Sequence, residues 1–72
     1  MSGPARILVV EDDPRIAGSV QRALAYEGHL VEIAADGSAG LELARAGERD
    51  LIVLDVMLPV IDGVEVARRL RL

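Results

Sequence analysis

Two uninterrupted aliphatic runs, Ile7-Leu8-Val9-Val10 and Leu51-Ile52-Val53-Leu54, constrain the fold more than any other feature of this chain. Both are rich in β-branched side chains, and both are followed at once by acids. A strand with one wet face alternates apolar and polar residues. A run without alternation reads as a strand buried on both faces, as in a parallel sheet covered by helices. Leu30-Val31-Glu32-Ile33-Ala34 is similar but carries a charge at its centre, which suits an edge strand.

Helical patterns fill the intervals. Asp13 can serve as N-cap, Pro14 occupies the first helical position, where a missing N–H costs nothing, and Gly28 stops the helix. Its apolar stripe is Ile16, Ala17, Val20, Ala23 and Leu24. A second helix is expected over Gly37–Ala46, capped by Asp36 and stopped by Gly47, with Leu41 and Ala44 facing inward. Gly40 inside it costs about 1 kcal/mol against alanine, so this helix is the weaker one. A third starts near Asp62-Gly63, buries some of Val64, Val66, Ala67 and Leu70, and runs to the C-terminus without a stop signal. The order β-α-β-α-β-α with short connections means an α/β fold with a parallel sheet.

If the most buried strands are central, the first lies between the second and third, giving strand order 2-1-3. Right-handed crossovers then place the first helix on one face and the other two on the opposite face. The winding reverses beside the first strand, and open α/β sheets bind ligands in the crevice at such a point. The first strand ends there in Glu11-Asp12-Asp13 and the third in Asp55. Two unit charges 4 Å apart repel by roughly 4 kcal/mol at an effective dielectric near 20, so the cluster needs relief. Protonation is one route, and a hard divalent cation is the other. Oxygen-only ligands favour Mg²⁺, which takes one or two carboxylates and shares its remaining positions with phosphate.

Composition removes several alternatives. The 72 residues hold no cysteine and one histidine, which excludes both disulfides and a tetrahedral structural zinc site. A net charge of −4 lacks the basic footprint of a nucleic-acid binder, and the lone aromatic, Tyr26, cannot form a base-stacking platform. The stretch Met1 to Arg6 leads into too few apolar residues for a signal-peptide core, and nothing approaches a membrane span. A cytoplasmic setting without membrane contact is the expectation.

Taken together, Ile7–Asp13, the segment Asp50 to Pro59 and Asp62-Gly63 resemble the receiver domain of bacterial two-component response regulators. The resemblance implies a flavodoxin-like three-layer parallel sheet. It also implies that Asp55 is the phosphoacceptor, taking a phosphoryl group from the phosphohistidine of a sensor histidine kinase in a metal-assisted transfer rather than a turnover reaction. Mg²⁺ would be held by Asp12, Asp55 and the backbone carbonyl of Met57, with Glu11 acting mainly through water. The Met57-Leu58-Pro59 wording is similar to the class carrying a C-terminal winged-helix domain, so DNA would be met only through a domain outside these residues. Val60 departs from the family, which often has glycine there.

A full receiver has five strands and five helices, and this chain reaches the third helix. The family's fourth strand ends in Ser or Thr and its fifth in Lys, whereas the chain has no Lys and no Thr. The expectation is therefore a flexible tail over residues 1–5 and the N-terminal half of a receiver over 6–72, with phosphorylation impaired. Leu51–Leu54 would be an exposed apolar edge, which proteins avoid or use for association, so two copies are expected to pair through it. The alternative is a non-catalytic self-assembly or interaction half-domain whose acidic site is vestigial. Plainer roles suffice elsewhere: Asp13 and Asp62 as helix caps, His29 as a solvated turn residue, and Arg68, Arg69 and Arg71 as a solvated face favourable at a helix C-terminus.

Overall fold

The computed structural model describes residues 3–71. Strands β1 (Arg6–Val10), β2 (Leu30–Ala34) and β3 (Leu51–Leu54) alternate with helices α1 (Pro14–Tyr26), α2 (Gly37–Ala46) and α3 (Gly63–Leu70). The sheet order is β2-β1-β3, all parallel, with Ile7 opposite both Val31 and Leu51 and Val10 opposite both Ala34 and Leu54. Of the two runs without alternation, Ile7–Val10 is the central strand and all four of its residues are buried, whereas Leu51–Leu54 lies at the edge of the described sheet with Leu51 and Val53 exposed, so that run is not covered on both faces here.

Alternate residues of β1 serve different layers. Leu8 and Val10 join Ala34 in a core packed by Ala39, Leu43 and Ala44 of α2 and by Ile52, Leu54 and Leu58. Ile7 and Val9 face the opposite side, where α1 packs on β1 and β2 and buries Ala17. α3 packs against α2 and buries Val66 completely. Ile16 and Ala23, expected in the buried stripe of α1, are exposed, because a sheet this narrow supports only part of that stripe. No helix among the described residues is long and apolar enough to cross a membrane.

The three aspartates placed before helices all cap them. Asp13 accepts the Arg15 N–H at 2.9 Å, Asp36 that of Ala39 at 2.8 Å and Asp62 that of Glu65 at 2.9 Å. Each such cap contributes about 1 kcal/mol. Gly28 ends α1 in the left-handed region at φ +94°, whereas Gly47 follows α2 in extended backbone that any residue could adopt. In the first turn of α3, Glu65 accepts hydrogen bonds from Arg69 and Arg68 of its last turn at 2.8 Å each, and those cations hold its carboxyl below the ordinary range.

Two polar residues do more than their sequence positions suggest. His29 is half-buried rather than solvated, and its Nδ1 accepts the Ala5 N–H at 3.0 Å. Ala5 in turn accepts from the Leu30 N–H at 2.9 Å, so it is tied to the start of β2. Arg49, between α2 and β3, pairs with Glu32 of β2 and donates to the Leu43 carbonyl at 3.1 Å, pinning α2 to the sheet.

Gly40 is the clearest departure from propensity. A Cβ there would lie 2.8 Å from both methyl groups of Val10, which is itself buried in the centre of the sheet. The glycine lets α2 approach β1, and the cost in helix propensity is offset by packing. Gly40→Ala is therefore expected to destabilise the chain by about 1–3 kcal/mol, as overpacking does, rather than to stabilise it by about 1 kcal/mol as helix propensity alone predicts. Urea denaturation monitored by circular dichroism reads the sign directly.

Candidate metal centre

The site is built where two parallel ladders run out. Val10 pairs with Ala34 on one side and Leu54 on the other, and each ladder continues for one bond beyond its strand. Glu11 N–H reaches the Ala34 carbonyl at 3.0 Å, and Asp55 N–H reaches the Val10 carbonyl at 3.1 Å. Those bonds fix the backbones of Glu11 and Asp55 side by side at the carboxyl edge of the sheet. One carboxylate oxygen from each of Glu11, Asp12 and Asp55 lies within 4.8 Å of the other two. Glu11 and Asp55 are half-buried, while Asp12 is exposed.

Local hydrogen bonds orient the group. Asp13 N–H donates to Glu11 Oε2 at 3.1 Å, and Met57 N–H donates to Asp55 Oδ1 at 3.2 Å, an Asx-type turn that folds the chain back over the site. The Asp13 N–H bond lowers the Glu11 pKa. Partial desolvation, the Asp55 charge and hydrogen bonds to Asp55 and Asp12 outweigh it, so the Glu11 carboxyl sits above its usual range. A raised carboxyl pKa beside two other acids marks a place where negative charge is in excess. The donors are all hard oxygens, and the crevice opens to water, which together suit Mg²⁺ rather than a softer or four-coordinate metal.

The structure therefore brings together Glu11, Asp12 and Asp55. It leaves Asp13 as the cap of α1 and Asp62 as the cap of α3. Met57 follows Asp55 by two residues with an exposed side chain, so only its backbone is available to the site. The return loop is held by Gly63, whose N–H donates to the Val56 carbonyl at 2.9 Å, and by Gly37, whose N–H reaches the Pro59 carbonyl at 3.4 Å. A Cβ on Gly63 would lie 2.1 Å from the Asp55 carbonyl oxygen, and one on Gly37 would lie 1.7 Å from that of Ile61. Both glycines directly follow a capping aspartate, and that pairing is the signal in the sequence for them. Val60 takes φ +71°, with the Ile61 N–H donating to the Pro59 carbonyl at 2.8 Å across it. A β-branched residue at positive φ is strained, which explains why glycine suits this position better.

Comparison with known proteins agrees with this geometry. Residues 7–72 match the response regulator receiver domain. The transcriptional regulatory protein TcrA of Mycobacterium tuberculosis is 53% identical over 66 residues, covering 92% of this chain and 26% of TcrA. The response regulator MprA of Mycolicibacterium vanbaalenii is 48% identical over 68 residues, covering 94% of this chain and 29% of MprA. The chain thus spans less than a third of these curated relatives. Among solved structures, the chemotaxis response regulator CheY4 of Vibrio cholerae superposes with a TM-score of 0.93 at 36% identity, over 96% of this chain and 57% of that one. The Thermotoga maritima response regulator TrrA, solved in complex with Mg²⁺ and BeF, gives 0.89 at 39% identity, over 93% of this chain and 58% of TrrA. Strand order, acid cluster and sequence match all converge, and the chain belongs to the response regulator receiver domain family of two-component systems.

Proposed function

We propose that this chain accepts a phosphoryl group on Asp55 from the phosphohistidine of a sensor histidine kinase, at a Mg²⁺ site formed by Asp12, Asp55 and the Met57 carbonyl, with Glu11 acting through water. The observation that carries this reading is the meeting of three carboxylate oxygens, from two strand ends, within 4.8 Å. An Asp55 oxygen attacks phosphorus in line with the P–N bond. An acyl phosphate forms, the P–N bond breaks, and the imidazole leaves with its electron pair and takes up a proton. Bound Mg²⁺ supplies charge neutralisation on the phosphoryl oxygens, which is most of what such a transfer demands of a protein. The protein's own part is placement: the Met57 N–H holds Asp55 Oδ1, and Asp13 N–H holds Glu11.

Residues 6–72 act in this reading as the N-terminal half of a receiver, preceded by a short tail; Met1, Ser2 and Leu72 lie outside the described residues. The Lys and Ser/Thr that the family uses to read the phosphoryl group are not among these strands' ends, so transfer to this chain alone is slow. DNA recognition belongs to a separate C-terminal domain, as suits relatives that are transcriptional regulators. The setting is cytoplasmic. Two copies associate through the open edge of β3, where Leu51 and Val53 are exposed.

Isothermal titration with Mg²⁺ tests the site. The native chain should bind one ion, and Asp12→Asn should bind roughly tenfold or more weakly, because Mg²⁺ depends on very few charged ligands. Equal binding by both would dismiss the reading.

A further inference from the structure

The loop that returns the chain from Asp55 to α3 holds a backbone conformation that its own residue disfavours. Among the described residues, Val60 is the only non-glycine with positive φ, at +71°. The Ile61 N–H bonds back to the Pro59 carbonyl at 2.8 Å, which makes Val60 the centre of a γ-turn of the strained, positive-φ kind. A β-branched side chain adds to the cost, because its substituents crowd the flanking backbone. Packing returns little of that cost, since Val60 is 80% exposed.

What holds the turn is the Pro59 carbonyl. It accepts from the Ile61 N–H and, at the long distance of 3.4 Å, from the Gly37 N–H at the start of α2. Both ends of the segment are anchored without it. Leu58 packs on the core on one side. On the other, the Ile61 carbonyl oxygen lies where it would be 1.7 Å from a Cβ on Gly37. Between two fixed ends, the Pro59–Val60 peptide plane can turn over by a coupled change in the Pro59 ψ and the Val60 φ. That rotation relaxes Val60 to negative φ and breaks both bonds to the Pro59 carbonyl. The strain relieved and the bonds lost are of similar size, so both forms are populated.

The turn bears on the acid cluster through Met57, whose N–H reaches Asp55 Oδ1 at 3.2 Å and which only Leu58 separates from Pro59. With the Pro59 bonds gone, the Met57 backbone is held by that long bond and by the packing of Leu58 alone. We propose that Val60 is a positioning residue for the metal centre: it keeps the loop in exchange between the strained closed form and a relaxed open one, and a bound divalent cation selects the closed form. The inference rests on the Mg²⁺ reading given above. Its consequence is that Val60 weakens cation binding, because affinity falls by the fraction of chains in the competent form.

The test compares the native chain with Val60→Gly and Val60→Thr. Glycine takes positive φ without strain, whereas threonine keeps the β-branch and removes only apolar exposure. In EDTA, Val60→Gly should melt roughly 4 °C or more above the native chain, even though glycine gives the unfolded chain more freedom. Val60→Thr should melt with the native chain. By titration calorimetry, Mg²⁺ should bind Val60→Gly about threefold or more tightly and Val60→Thr unchanged. NMR relaxation dispersion at the Ile61 amide should show exchange in the native chain without metal, and lose it in Val60→Gly or on saturation with Mg²⁺. A glycine variant no more stable than the native chain would overturn the proposal, as would a threonine variant that matches the glycine one. Equal Mg²⁺ binding by the native and glycine chains would overturn it while leaving the metal site intact. No Mg²⁺ binding by any of the three would sink the metal site, and this proposal with it.

Discussion

Gly63→Ala is expected to cost about 3 kcal/mol or more, enough to unfold much of a domain of this size, whose single core contributes roughly 3–5 kcal/mol. Helix propensity argues the other way, since alanine is favoured over glycine by about 1 kcal/mol inside a helix. Geometry decides the outcome. Gly63 is buried at the first turn of α3, and the added carbon would lie 2.1 Å from the Asp55 carbonyl oxygen and 2.9 Å from both the Asp55 carbonyl carbon and the Val56 Cα. All three obstacles are backbone atoms, so no side-chain rotation relieves the clash. Either α3 lifts away from α2, exposing Val66, or the backbone of Asp55 shifts and breaks its bond to Val10. Urea denaturation should show the loss, with Val64→Ala at the neighbouring exposed position as a control of small effect. A Gly63→Ala chain as stable as the native one would mean that α3 does not approach Asp55 so closely.

Asp55→Asn should have two opposite effects on thermal stability. Without divalent ions the variant is expected to melt above the native chain, because one of three mutually repelling carboxylates is gone. Asparagine keeps an acceptor oxygen for the Met57 N–H, so the turn over the site survives and the comparison isolates charge. With Mg²⁺ the order reverses: the native chain gains stability by ligand linkage, and the variant gains little. The Glu11 carboxyl should move down toward its ordinary range in the variant, since Asp55 contributes both a charge and a hydrogen bond that raise it. Scanning calorimetry in EDTA and in Mg²⁺, with NMR titration of Glu11, covers all three effects. A variant that melts lower in EDTA and keeps the native Mg²⁺ response would show that the acids do not share one site.

Much of this arrangement is legible in the sequence because its signals are local. Asp13-Pro14, Asp36-Gly37 and Asp62-Gly63 mark the helix starts through caps that act within three residues, and α1, α2 and α3 begin where they indicate. The two unalternating runs, Ile7–Val10 and Leu51–Leu54, lie next to each other while Leu30–Ala34, with its central Glu32, takes the other edge, which places β1 between β2 and β3 and sends Glu11 and Asp12 to the same edge as Asp55. What escapes is set by partners distant in the chain. Nothing near Gly40 announces Val10, nothing near His29 announces the Ala5 N–H, and nothing near Arg49 announces Glu32. The exposure of Ile16 is hidden for a related reason: periodicity identifies an apolar stripe, but the width of the sheet beneath it decides how much is covered.

The proposed function requires Asp55 to take the phosphoryl group, beside a cation held by its neighbours. Incubation of the chain with acetyl phosphate, with and without Mg²⁺, followed by peptide mapping in a mass spectrometer, measures this directly. A single acid-stable, base-labile phosphoryl group on Asp55, formed only when Mg²⁺ is present and absent from Asp55→Asn, is the predicted result. Phosphoryl found on another residue, or none on Asp55 while the chain is folded and Mg²⁺ is bound, would contradict it.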